Sequence, residues 1–289
     1  MADILITGGA GVVGSKLCRL FLQQGFSVRV LTLPGQNSAS ILPQEVEVFE
    51  GDVTKPETLG AAFQNVNTVC HLAAVILAKQ SSVFEEVNVE GTRHVLAACQ
   101  KSGVKRLLFV SSISVTYPIL TDYGKSKWEC ERLVKNSGIP FTIVRPTLVV
   151  EKNGAAEYML FCRYLKKTPL VFLPAGGKCL KRPVRTEDLV WGIVRAATAE
   201  KAIGKTYALA GSKVLSMAEM ARISLHRMGM QKRIVGVPLW LCWVLATLKQ
   251  ILIPGSVSAW QALAGFRYDA SPDIAESEKD LDYRPGTPF

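Results

Sequence analysis

This sequence predicts an α/β fold built on a doubly wound parallel sheet, with a smaller C-terminal lobe. Three observations predict it. Short, nearly all-apolar runs alternate with amphipathic stretches through the first 150 residues, as expected for parallel strands covered on both faces by crossover helices. The first apolar run, Ile4-Leu5-Ile6, leads into the glycine-rich turn Thr7-Gly8-Gly9-Ala10-Gly11-Val12-Val13-Gly14, which opens a helix. After Arg145-Pro146 the alternation stops, and glycines and basic residues accumulate instead.

The elements follow in order. Strands are expected at residues 4–7, 27–31, 46–49, 69–72, 106–111 and 141–144, and helices at 12–24, 56–63, 83–101 and 123–136. No internal repeat or low-complexity linker is visible. Residues 1–150, plus a return segment near 180–200, are expected to form the first domain. Residues 151–179 and 201–289 are expected to form the lobe. A chain of 289 residues is long enough for both.

At 48% hydrophobic and 20% charged, the composition is globular. No signal peptide is read at the N-terminus, because Met1-Ala2-Asp3 runs straight into the first strand. Seven scattered cysteines without a Cys-x-x-Cys, and three histidines, support neither a disulfide framework nor a metal site. A reducing, cytoplasmic setting is therefore expected.

The formal net charge is +10, and no acid lies between Glu157 and Glu187, a stretch holding Arg163, Lys166, Lys167, Lys178, Lys181, Arg182 and Arg185. A solvated basic face is the default reading. Sharper ones are an anionic substrate such as a nucleotide diphosphate, or an anionic membrane surface. Nucleic acid is set aside, because no recognition motif accompanies the charge. Residues 237–248 form the most apolar window, shorter than a bilayer-spanning helix. A buried helix or the roof of an apolar pocket is the default there; contact with a membrane interface, through Trp240 and Trp243, is the lesser alternative.

The glycine turn lets the backbone approach a pyrophosphate, which the free amides and positive end of the following helix then hold. Its strand–turn–helix context makes this a Rossmann-type dinucleotide site. The choice between NAD and NADP is made near the end of the second strand. There the chain reads Val28-Arg29-Val30-Leu31-Thr32-Leu33, without the acid that would bind a ribose 2′-hydroxyl, and Arg29 could face either way. NAD or NADP is expected, with a lean to NAD.

Tyr123-Gly124-Lys125-Ser126-Lys127 follows the Ser111-Ser112 pair. A tyrosine and a lysine four apart share one helix face. An ammonium beside the phenol is expected to pull its pKa toward neutrality, making it a proton donor and acceptor. A serine opposite would grip the reacting oxygen.

With these residues in place, the chain resembles an extended short-chain dehydrogenase/reductase of the NAD-dependent epimerase/dehydratase family, similar to nucleoside-diphosphate-sugar epimerases. The glycine turn, Gly51-Asp52-Val53, His71-Leu72-Ala73-Ala74, Asn88-Val89-Glu90-Gly91-Thr92, Ser111-Ser112, the Tyr–Lys helix and Arg145-Pro146 arrive in the family's order. So do the later segments Pro183-Val184-Arg185-Thr186-Glu187-Asp188-Leu189 and Leu281-Asp282-Tyr283-Arg284-Pro285.

The resemblance implies that Tyr123 is the general acid/base and that Lys127 lowers its pKa and holds the nicotinamide ribose. Ser112 would bond the reacting oxygen, with Ser111 as substitute. It further implies cofactor contacts from Gly8, Gly11, Val12, Val13 and Gly14 in the turn and from Thr32 after the second strand. Asp52 and Val53 would meet the adenine, Leu72, Ala73 and Ala74 would lie along the cofactor, and Asn88, Ser111, Tyr123, Lys127 and Pro146 would complete the set. His71 is read as a packed or cofactor-adjacent residue rather than a base.

Two departures bear on the reaction. Only Ile113–Asp122 separates Ser112 from Tyr123, shorter than in nucleotide-sugar enzymes, and Ile113 and Ser114 stand where sugar 4,6-dehydratases carry an acidic pair. Dehydration is therefore disfavoured. The expected activity is hydride transfer at a carbon bearing OH or C=O, as a nucleotide-sugar epimerase. A reductase of a lipophilic alcohol or ketone, steroid- or flavonoid-like, is the alternative. A non-catalytic NAD(P)-binding sensor or assembly protein is a third reading, weakened because both Tyr123 and Lys127 are present. The family also suggests a homodimer through the 83–101 and 123–136 helices, with Trp128 either at that surface or in the core.

Overall fold

The computed structural model describes residues 2–151, 156–252 and 259–289. Seven strands form one parallel sheet: β1 (Ala2–Thr7), β2 (Val28–Thr32), β3 (Glu47–Glu50), β4 (Val66–His71), β5 (Arg106–Val110), β6 (Phe141–Pro146) and β7 (Thr206–Leu209). Their order is β7-β6-β5-β4-β1-β2-β3. The winding reverses between β1 and β4, where Ile6 stands beside both Val30 and Cys70. A ligand crevice opens beyond the carboxyl ends of strands at such a reversal.

Alternate side chains of β1 enter two different cores. Ile4 and Ile6 join one core with Leu17 and Phe21 of α1 (Val12–Gln23). Leu5 joins the other, with Val95 of α2 (Gly91–Lys101) and Val134 of α3 (Asp122–Lys135). This two-sided burial is why the strands read as continuous apolar runs. α2 is preceded by helical turns from Ser81, including a wide π-type stretch over Glu85–Glu90. Trp128 stands half exposed on α3, outside both cores.

Beyond β6 the chain leaves the sheet through α4 (Ala156–Lys167), returns as α5 (Thr186–Thr198), and adds β7 at the edge. α6 (Met217–Arg227), begun by a reciprocal Ser216–Glu219 capping box, packs with α4 around Leu165, Val171, Leu173 and Leu225. Val171–Pro174 pairs with Ile234–Val237 in this lobe.

Two features of the second half differ from the sequence reading. The return to the first domain extends past 180–200: β7 joins the main sheet, and α9 (Ala275–Leu281), which follows α7 (Leu239–Leu252) and α8 (Ala259–Arg267), packs against it. Tyr207 donates to Asp280 Oδ2 at 2.9 Å, and Ser277 Oγ donates to the Ala208 carbonyl at 2.7 Å. The second difference is α7, the apolar stretch expected to be buried. None of its residues is buried. Apolar composition alone does not say what covers a helix, and nothing among the described residues encloses this one.

Candidate active site

The crevice at the β1/β4 reversal is a cavity of about 720 Å³. Of the residues expected to be catalytic or to touch the cofactor, all but one line it: Gly8, Gly11, Val12, Val13, Gly14, Thr32, Asp52, Val53, Leu72, Ala73, Ala74, Ser111, Ser112, Tyr123, Lys127 and Pro146. Asn88 does not. It sits behind the cavity wall, where Oδ1 accepts from the Val75 amide at 2.8 Å and Nδ2 donates to the Val75 carbonyl and to Ser126 Oγ, both at 3.0 Å. Its place is to hold the wall segment rather than to touch a ligand.

The turn fits a dinucleotide. Gly8 has φ +73°, and a Cβ on Gly14 would lie 2.3 Å from the Gly8 carbonyl oxygen, so neither position admits a side chain without displacement. α1 begins at Gly11 with no side-chain cap and no acid in its first turn. The Val12, Val13 and Gly14 amides are thus left without a side-chain acceptor, at the positive end of the helix. Asp52 accepts from the Thr54 amide and hydroxyl through Oδ1 alone, both at 2.9 Å. Its second oxygen remains available to an adenine amino group.

At the end of β2 the question about Arg29 is resolved. Its buried guanidinium pairs with Glu47 at 2.8 Å and donates to the Ala62 and Gln64 carbonyls, away from the cavity. Thr32, Leu33 and Gln36 face the cavity instead.

Ser112 caps a single helical turn, Ile113–Thr116, into which the short loop folds. Ser114 donates to Ser112 Oγ through its amide (3.2 Å) and its hydroxyl (2.9 Å). Thr121 caps α3 by accepting from the Gly124 amide at 3.0 Å, which places Tyr123 in the first turn. The Ser111 hydroxyl is already committed, donating to Glu131 Oε1 at 2.7 Å. That carboxylate also takes two hydrogen bonds from Arg145, at 2.8 and 2.7 Å. Ser111 therefore cannot serve as a substitute for Ser112 without breaking this buried network.

The electrostatics correct one expectation. Burial raises the Tyr123 phenol above its ordinary pKa, the Glu157 carboxylate adds to the rise, and a hydrogen bond with Ser112 opposes it. In the chain alone the neighbouring ammonium does not win. Spacing brings Lys127 onto the same helix face, but water exclusion, which spacing does not report, dominates. Lys127 is itself buried, which lowers its pKa to about 8, and Nζ lies 4.2 Å from the Phe109 ring centroid. No carboxylate lies within salt-bridge distance of it among the described residues. A ribose hydroxyl would give it the partner it lacks.

His71 bridges Thr7 Oγ1 (2.7 Å) and Thr92 Oγ1 (3.1 Å). Burial, and then the Lys127 charge, push its pKa down to about 3, so it is a neutral structural bridge. Glu131, Thr7 and Glu157 shape the site without having been singled out for it from the sequence. Only Glu131 carried a signal, a lone acid on the apolar face of the Tyr–Lys helix.

The basic stretch at 163–185 does not converge on the cavity. Lys181 donates to the Tyr268 carbonyl, Arg182 to the Gly211 and Pro272 carbonyls, and Arg185 pairs with Asp188. Lys127 is the one cation among the described lining residues.

The sequence matches the NAD dependent epimerase/dehydratase family over residues 4–210. It is 30% identical to UDP-glucose 4-epimerase of Vibrio cholerae over 82% of this chain and 79% of that protein. It is 29% identical to the 3 beta-hydroxysteroid dehydrogenase/Delta 5→4-isomerase of Mycobacterium tuberculosis, over 99% and 86%. Among solved structures, UDP-glucuronic acid 4-epimerase from Bacillus cereus, in complex with UDP-glucuronic acid and NAD, superimposes with TM-score 0.76 at 21% identity, covering 99% of this chain and 94% of that one. The chain belongs to the NAD-dependent epimerase/dehydratase family of NAD(P)-dependent enzymes.

Proposed function

We infer that the protein moves hydride between NAD(P) and a substrate carbon bearing OH or C=O, in the manner of a nucleotide-sugar epimerase. The observation that carries this reading is the convergence of Ser112, Tyr123 and Lys127 on the cavity that holds the uncapped glycine turn. Bound NAD(P) supplies the hydride acceptor and donor. Tyr123 takes the proton from the substrate hydroxyl as the carbonyl forms and returns it in the reverse step. Ser112, its hydroxyl accepting from Ser114 and hydrogen-bonded to the Tyr123 phenol, is placed to turn its proton to a reacting oxygen seated beside Tyr123. Lys127 holds the ribose beside Tyr123 and favours the phenolate once a ligand closes the cavity. Asn88 holds the wall from behind, and Thr7 holds it from the end of β1, its Oγ1 accepting from the Ala73 amide at 3.2 Å.

A second reading, a dehydrogenase or reductase of a lipophilic alcohol or ketone, is favoured by the lining itself. Ala74, Val75, Ile76 and Val149 face the cavity, none of the 163–185 cations lines it, and Lys181, Arg182 and Arg185 are tied to other partners. The relationship to a hydroxysteroid dehydrogenase supports the same reading.

One experiment separates the two. Wild type and Tyr123→Phe are assayed by reduced-nicotinamide absorbance and by product stereochemistry, against UDP-sugars and against steroid and long-chain ketols. Inversion without net nicotinamide turnover identifies an epimerase, and net turnover a reductase. A protein that binds NAD(P) yet does neither with any substrate, in wild type and variant alike, defeats the hydride-transfer reading.

A further inference from the structure

α7 is a 14-residue helix, Leu-Trp-Leu-Cys-Trp-Val-Leu-Ala-Thr-Leu-Lys-Gln-Ile-Leu, with no buried residue. Its outward side chains are Trp240 (68% exposed), Trp243, Val244, Leu245, Leu248, Ile251 (71%) and Leu252 (77%). The inner side, with Leu241, Cys242 and Ala246, is only half covered, and α8 packs along it. The patch continues off the helix. Tyr164 borders Cys242, and its hydroxyl bonds both backbone groups of Phe172, whose own ring is half exposed. So large a contiguous apolar surface on a water-facing helix marks a binding face.

The surrounding charge identifies the partner. No acid occurs between Glu219 and Asp269, a stretch that carries Arg222, Arg227, Lys232, Arg233, Lys249 and Arg267. Lys232 donates to the carbonyls of Leu165, Lys166 and Thr168. This fastens Arg233 and the exposed Lys166 and Lys167 together at the foot of the strand that leads into α7. Lys249 lies within the apolar face itself, on a stem long enough to reach the headgroup level. A protein partner of ordinary composition would not call for this exclusion of acids, whereas a negatively charged surface of lipid headgroups does.

Among the described residues no helix is long and apolar enough to cross a membrane. At 1.5 Å per residue α7 spans about 21 Å, short of the roughly 30 Å hydrocarbon core. It suits a helix lying in the interface, with tryptophans at the headgroup boundary and leucines below.

We propose that α7 and the Phe172 rim form a docking face for an anionic phospholipid bilayer. The helix lies flat in the interface, and Arg233, Lys249 and the exposed Lys166 and Lys167 contact the headgroups. The lobe that borders the cavity is then held at the lipid surface, where a substrate with an acyl or polyprenyl tail resides. Docking is read without turnover, so it stands or falls apart from the hydride-transfer reading.

The full chain, purified without detergent, is floated with vesicles of phosphatidylcholine alone and of phosphatidylcholine with about one-third phosphatidylglycerol. The variants are a triple change, Trp240→Ser, Leu245→Ser and Ile251→Ser, and a charge change, Arg233→Glu with Lys249→Glu. Circular dichroism and NAD titration check that each variant is folded. The expected result is binding to the anionic vesicles at least roughly tenfold stronger than to neutral ones, as two or more basic residues near the surface would give. It should weaken at high salt, fall at least about tenfold in each folded variant, and bring a blue shift of tryptophan fluorescence that the triple variant lacks. Absence of wild-type binding to anionic vesicles overturns docking. So does equal binding by the folded triple variant. A wild-type dimer that becomes monomeric in the triple variant, with no vesicle binding, assigns the face to a second copy of the chain instead.

Discussion

Asn88 grips Val75 through both of the latter's backbone groups, accepting from its amide at 2.8 Å and donating to its carbonyl at 3.0 Å. One side-chain amide thus does what a neighbouring strand would do for a segment that runs on past the end of β1, where the Leu72 amide makes its last bond to the Thr7 carbonyl. The segment so held, Leu72 to Ile76, lines the cavity. Asn88→Ala is expected to leave the Val75 groups unpaired, cost about 2–4 kcal/mol of stability, and raise the NAD dissociation constant. Thermal denaturation and NAD titration of the same variant check both. Unchanged NAD affinity would show that the wall holds without its clamp.

Tyr123→Phe removes the proton carrier while leaving the ring beside Phe84, 6.1 Å away between centroids. Turnover is expected to fall about 10²–10⁴-fold, with NAD binding retained. Stopped-flow hydride transfer with bound cofactor, compared with equilibrium titration, measures the two separately.

Lys127 carries a pH signature. Burial lowers its pKa from 10.5 to about 8, so above pH 8 the unfolded chain holds a proton that the folded one has released. Stability of the cofactor-free protein should therefore rise from pH 8 toward 10.5, other groups apart. At pH 7 the buried ammonium costs on the order of 3 kcal/mol. Lys127→Met should accordingly be more stable than wild type at pH 7, lose that advantage by pH 10, and bind NAD more weakly. Denaturant unfolding at the two pH values tests it.

Glu131 behaves in the opposite sense. Burial alone would raise its carboxyl pKa, but hydrogen bonds from Arg145 and Ser111 outweigh burial and leave it below the ordinary value. Its contribution is present above the unfolded-state pKa and disappears as pH falls through the folded one. Glu131→Gln should cost about 3 kcal/mol near neutrality, with the gap to wild type closing in acid. Urea titrations at pH 7 and pH 4 are the measurement.

The dinucleotide preference is testable at one position. Leu33 is half exposed and lines the cavity just past the end of β2, the place where such folds set dinucleotide preference, and no arginine lines the cavity among the described residues. NAD is expected to bind more tightly than NADP, and Leu33→Arg to narrow the difference by roughly tenfold. Paired titrations with the two dinucleotides decide it.

Much of this was legible in the chain. The alternation of apolar strands and amphipathic helices, the glycine turn, and the order of Asp52, Ser112, Tyr123 and Lys127 are local patterns that carry their meaning in spacing. They placed the sheet, the crevice and the lining residues. Burial and partnership are not local. Arg29 could face either side of β2 until Glu47 and the Ala62 and Gln64 carbonyls were seen around it. Ser111 and Ser112 are adjacent and alike, yet Glu131, twenty positions away, claims only the first. The Tyr–Lys spacing implied an acidic phenol, but the degree of water exclusion around Tyr123 is a property of the folded cavity and reverses the sign.

α7 shows the same division most plainly. By itself the sequence determined that residues 237–248 form the most apolar stretch, too short to span a bilayer, because length and side-chain hydropathy are properties of a segment. Only the tertiary structure decided that this helix lies outside the core. Burial depends on what other segments place against it, and here they leave its leucines and tryptophans facing outward.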